Sequence, residues 1–145
     1  MGEDAQRRRS ERAERASYHA EAQRRREAEE SEKAQALIDG FVEQARKAGL
    51  PTEELTARPW SGRGRYRTGL VGWYLRRDRS VGVGVDGSFY LLAVPPARFG
   101  RWRTVDVRPT PPPLQVGKGA RDGESFALDE LLTMRLQWPQ AAAGE

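Results

Sequence analysis

Between Leu70 and Pro96 the chain reads LVGWYLRRDRSVGVGVDGSFYLLAVPP, and this stretch limits the fold more than any other. Three short runs rich in β-branched and aromatic residues are separated by Arg-Arg-Asp-Arg-Ser and by Asp-Gly, the punctuation of antiparallel hairpins. Val81, Val83 and Val85 alternate with Gly82 and Gly84, so the middle run predicts a strand with valine on one face and bare backbone on the other. Something must lie close against that bare face. The third run is apolar at every position from Phe89 to Val94, which predicts a strand covered on both faces.

The flanking segments carry helical signals. Ala34, Leu37, Ile38, Phe41, Val42, Ala45 and Ala48 recur at the spacing of one helical face, and Gly49 with Pro51 marks the stop. Gly40 lies inside that pattern and reads as a close approach to the sheet. Before it, residues 1–33 balance 9 basic against 9 acidic side chains with no proline, and their apolar content is almost all alanine. This is a charged arm, helical or disordered. Thr52 to Leu55 reads as a capped helical turn and Arg58 to Arg65 as a linker.

Beyond the meander, Thr104 to Arg108 reads as a fourth strand with Val105 and Val107 inward, and Leu114 to Val116 as a short edge strand. Gly117 to Gly123 reads as a loop. Ser125 reads as the N-cap of a second helix carrying Leu128, Leu131, Leu132 and Leu136 and ending near Pro139. The expected fold is therefore α+β: an antiparallel meander of three to five strands packed by an N-terminal amphipathic helix and a C-terminal helix. The units are the arm (1–33), a single domain (34–139) and a loose tail (140–145).

Chemistry is limited by what the chain lacks. There is no cysteine, and His19, the only histidine, lies in the charged arm, so thiolate, His-metal and triad chemistry find no residues. Gly82-Val83-Gly84-Val85-Asp86-Gly87 matches G-x-G-x-x-G, but a strand follows where a dinucleotide site needs a helix N-terminus. Gly117-Lys118-Gly119 fails the phosphate-loop pattern, leaving Lys118 and Arg121 as members of a flexible loop. Trp73-Tyr74-Leu75 resembles, over those three residues, the triplet that names a family of bacterial regulatory domains with small β-barrels; no ligand or site residue is carried over from it. We expect no enzyme and no cofactor. No run reaches the length of a membrane span and the N-terminus lacks a secretory apolar core, which predicts a cytoplasmic chain.

What remains is charge. Residues 61–121 carry 12 basic side chains against 3 acidic, while the rest of the chain is near neutral or acidic. Arginines alternate there with aromatics, giving Arg63, Arg65, Tyr66, Arg67, Arg76, Arg77, Arg79, Arg101, Trp102 and Arg103 as candidate binding residues. Trp60 and Phe99 stand beside them. Such a surface attracts an acidic protein surface or a nucleic acid. The sequence predicts a non-catalytic basic adaptor recognising a protein partner, or alternatively RNA or single-stranded DNA binding through residues 60–121. It does not decide the oligomeric state.

Overall fold

The computed structural model describes residues 2–117 and 125–138, with Arg101 described in its backbone only. The arm and the first amphipathic segment form one helix, α1 (Gly2–Lys47), about 69 Å long at 1.5 Å per residue. Its outer part is held by local chemistry, such as Arg7–Asp4 at 2.9 Å and Arg25–Glu21 at 3.8 Å, exposed pairs worth a few tenths of a kcal/mol each. Its inner part is held by burial of Ala34, Ile38, Phe41, Val42 and Ala45. The helix closes as the spacing predicts. Gly49 turns left-handed at φ 67°, its N–H donates to Arg46 O, and the Leu50 N–H donates to Ala45 O, which satisfies the last carbonyls.

The sheet has the strands β1 (Glu53–Pro59), β2 (Tyr66–Tyr74), β3 (Val81–Gly84), β4 (Phe89–Leu91) and β5 (Ala93–Val94). Its order is β4-β3-β2-β1-β5. All neighbours are antiparallel except β1 and β5. The expected meander is present as β2, β3 and β4, but the whole sheet is mixed. β4 runs through Leu92 directly into β5, which pairs with the other edge strand, so one continuous segment bonds both edges and the sheet curls on itself. Pro59 tolerates this parallel edge because Arg58 and Trp60, on either side of it, donate their N–H groups to Leu92 O and Val94 O.

Curling divides the core in two. Inside the curl lie Leu55, Ala57, Tyr66, Tyr74, Tyr90, Leu92 and Val107. On the outer face α1 covers Trp73, Leu75, Val81, Val83 and Phe89, with Phe41 edge-on to Trp73 at 5.7 Å. The Trp73 Nε1–H donates to Leu50 O at 3.1 Å, so the indole is both packed and satisfied. The bare face of β3 points into the curl. A Cβ on Gly82 would meet methyls of Leu55 and Leu92 at 3.2 Å, so the approach predicted from the Val-Gly alternation is real and belongs to strand β1 and the β4–β5 junction. Asp86-Gly87 forms the β3–β4 turn, with Gly87 at φ 88° and Asp86 accepting from the Ser88 N–H and hydroxyl.

The remaining elements are β6 (Gln115–Val116) paired with β7 (Phe126–Ala127), and α2 (Leu128–Gln137), which buries Leu128, Leu131 and Leu132 against the outer core. Arg135 is buried with them, donating from Nε to Tyr74 O at 2.8 Å and lying over Trp138.

Several expectations are corrected. Residues 52–59 form no helical turn and little of a linker: Glu53–Pro59 is strand β1, burying Leu55, Ala57 and Pro59 on alternate positions. Gly40 has no neighbour within 4 Å of where a Cβ would stand, so it marks no approach to the sheet. The third strand is covered on both faces only at Phe89, Tyr90 and Leu92; Leu91 and Ala93 face solvent. Thr104 to Arg108 is not a strand, although Val105 N–H donates to Arg67 O and Val107 is buried as expected. Ser125 caps nothing: Ala127 holds the N-cap position, and the Ser125 hydroxyl donates to Gln115. Most of the Gly117–Gly123 loop, with Lys118 and Arg121, and the tail 140–145 lie outside the described residues.

Candidate binding surface

The strand pairing collects two loops at one end of the curled sheet. Ala57 opposes Tyr66, so the Trp60–Arg65 loop leaves and re-enters there. The Trp60 N–H donates to Val94 O at 2.8 Å, which starts the second loop, Pro95 to Arg103, from the same place. Tyr66 ties the two together. Its hydroxyl accepts from the Ala97 N–H at 3.2 Å, and its ring lies under Gly100, where a Cβ would fall 2.7 Å from a ring carbon. A 3-10 turn, Gly100–Trp102, then presents Phe99 and Trp102, their ring centroids 5.9 Å apart, with Arg98 over the Phe99 ring.

These aromatics are not core. Trp60 is 70% exposed, Phe99 55% and Trp102 77%, in a chain whose other two described tryptophans are packed or stacked on arginine. Around them Arg58, Arg63 and Arg103 are exposed and have no carboxylate within ion-pair distance among the described residues.

The other predicted residues separate. Tyr66 is buried, so it positions loops and offers no contact face. Arg65 turns inward: Nε donates to Thr56 Oγ1, and Nη2 donates to Thr56 O at 2.8 Å and to Arg79 O at 3.4 Å. Arg67 makes a two-pronged pair with Glu54 across β1 and β2, through Nε at 3.1 Å and Nη2 at 3.0 Å. That pair holds the Glu54 carboxyl below its usual range and raises Arg67. Its charge is spent locally. The Arg101 side chain lies outside the described residues.

Arg76, Arg77 and Arg79 lie on the β2–β3 turn, away from the two loops in sequence but flanking a shared residue, Asp78. Arg79 takes a left-handed φ of 61° and stacks over Tyr74, while the Asp78 carboxylate accepts from the Ser80 N–H and hydroxyl at 3.0 and 2.6 Å. Burial pushes Asp78 up, but those two bonds and Arg76 at 3.5 Å outweigh it and hold the carboxyl below its ordinary value. Asp78 thus stands between two grooves. One, of about 490 Å³, is lined by Arg58, Trp60, Arg79, Ser80 and Ala93 and continues the aromatic end. The other, of about 520 Å³, is lined by Leu75, Arg76, Arg77, Phe126, Met134 and Trp138 beside α2.

Sequence reasoning overlooked Arg58, which the β1–β5 pairing brings to Trp60, and the groove beside α2. Neither had a local signal, since both arise from segments distant in the chain. Among the described residues no group of three or more acidic or histidine side chains is gathered as a metal site, and no helix is long and apolar enough to cross a membrane. Comparison with protein-family models, with curated proteins and with solved structures finds no significant match.

Proposed function

We propose that this chain is a non-catalytic basic binding module whose aromatic loop end holds single-stranded nucleic acid. The observation that carries the reading is the set of three large, mostly exposed aromatic rings, Trp60, Phe99 and Trp102, set among arginines whose charge no described carboxylate cancels. Unpaired bases stack on such rings while guanidinium groups neutralise the phosphates between them. The 490 Å³ groove with Arg58 and Arg79 at its sides extends the same surface.

The test is fluorescence anisotropy with a labelled single-stranded oligonucleotide at two salt concentrations. Trp60→Ala and Trp102→Ala each weaken binding by about 1–3 kcal/mol, the usual value of one base stack. Arg63→Ala and Arg103→Ala each lower the salt slope by about 0.7, the single-strand value per phosphate. A chain that forms no complex at low salt refutes the reading.

A protein partner is the second reading, and the observation that favours it is separate: the groove beside α2, whose floor includes the aliphatic side chains of Leu75, Leu131 and Met134.

A further inference from the structure

We infer that the groove between the β2–β3 turn and α2 is an interface for a second copy of this chain and takes the Tyr18 face of that copy's helical arm. This does not depend on nucleic-acid binding, which uses other residues.

The groove joins an apolar floor, Leu75, Leu131 and Met134, to a rim on which Asp78 pairs with Arg76 at 3.5 Å. Arg77 on the same rim lies over the Trp138 ring, with no carboxylate in ion-pair distance among the described residues. The groove's chemistry asks for one large apolar side chain carried beside a carboxylate that Arg77 can meet. The arm supplies that combination. Between Gly2 and Ala36 the only apolar side chain larger than alanine is Tyr18, and it is 69% exposed. Glu11, Glu14 and Tyr18 line one shallow depression on the helix surface, together with Arg15. The carboxylates of Glu11 and Glu14 have no ion-pair partner among the described residues. A lone aromatic among free carboxylates adds nothing to an isolated helix. Against an arginine-rimmed apolar recess it becomes an anchor.

The arm cannot reach its own groove. Tyr18 stands 16 positions before Ala34, the first fully buried residue, hence about 24 Å farther out along a straight helix. The domain end nearest the arm is marked by Leu114, whose N–H donates to Glu30 Oε1 and whose carbonyl accepts from the Leu128 N–H at the start of α2. The far end of α2 meets Tyr74 through Arg135, next to Trp73, which bonds Leu50 beyond the end of α1. The groove runs along α2 from Phe126 to Trp138, and the straight helix carries Tyr18 away from the whole of it. Two copies laid antiparallel place each arm along the other's domain and fill both grooves at once, a closed two-fold arrangement.

Sedimentation equilibrium of the full chain across the micromolar range tests this. The expected result is a dimer. Tyr18→Ala weakens it by roughly tenfold or more, as loss of a buried tyrosine anchor does. Arg77→Glu also weakens it, and Glu14→Arg combined with Arg77→Glu restores part of the loss. Tyr18 and Glu14 are exposed on the arm, so circular dichroism of those variants keeps the parent helix signal. A monomer at every concentration, or a dimer indifferent to Tyr18→Ala, overturns the inference. So does occupation of the groove only by an acidic protein of another kind. Oligonucleotide affinity of Trp60→Ala reports on the separate surface, so the two readings fail independently.

Discussion

Two glycine-to-alanine substitutions of the same chemistry should change stability in opposite directions. Gly72 lies in β2 opposite Gly84 of β3. A Cβ there would stand 2.0 Å from Val83 O and 2.7 Å from the Gly84 Cα, where ordinary contact begins at 3.4 Å. The obstacle is backbone, so no rotamer change relieves it, and the strands must part by about 1.4 Å. That displacement breaks the bridge between Gly72 and Gly84 and strains the Val85 N–H bond to Val71 O, 3.1 Å long. Overpacking with the loss of one or two ladder bonds costs about 2–4 kcal/mol. Gly40 is the opposite case: it sits in the interior of α1 with nothing within 4 Å of its added methyl. Alanine there restricts the unfolded chain and favours the helix, adding about 0.5–1 kcal/mol. Urea unfolding followed by tryptophan fluorescence measures both. At an m-value near 2 kcal/mol/M the midpoint falls by about 1–2 M for Gly72→Ala and rises by about 0.3–0.5 M for Gly40→Ala. A Gly72→Ala chain as stable as the parent would refute the close pairing of β2 and β3. A destabilised Gly40→Ala chain would restore the contact that the sequence pattern suggests.

Arg135→Leu leaves Tyr74 O without its charged donor and should cost about 1.5–3 kcal/mol in the same assay; little change would mean that the buried guanidinium carries no net hydrogen-bond energy. Trp73→Phe keeps most of the packing but removes the donor to Leu50 O, and a loss of about 1 kcal/mol is expected, measured as a fall in urea midpoint. Asp78 has its folded pKa below the ordinary 3.8, so its contribution is complete above that value and is lost as pH falls through the lower folded value. The stability gap between the parent and Asp78→Asn should accordingly close at the acid end of a pH series. A gap that persists there would show that the carboxylate is not what Ser80 and Arg76 hold. Arg67→Ala should leave oligonucleotide binding nearly unchanged, because its guanidinium is engaged by Glu54, and anisotropy titration reads this directly.

The chain by itself determined those parts of the molecule where one short segment carries the whole signal. The Val-Gly alternation with Asp86-Gly87 gave β3, its turn and its bare face, because a period of two and a left-handed turn residue are local properties. The 34–48 periodicity and Gly49 gave the buried face and the stop of α1 for the same reason. Strand β1 was hidden because its inward positions are Leu55, Ala57 and Pro59, of which only leucine reads as apolar strand, and because its first residues, Glu53 and Glu54 after Thr52, imitate a helix start. Only closure of the sheet explains it: β1 exists where β2 on one side and β5 on the other supply its hydrogen bonds. The binding residues follow the same division. Composition showed that arginines and aromatics gather in residues 61–121, but it treated Arg63, Arg65, Tyr66 and Arg67 alike. The fold turned Tyr66 and Arg65 inward, matched Arg67 to Glu54, and left Arg63 with Trp60 and Trp102 in solvent, since which side of a strand faces water depends on what lies across from it.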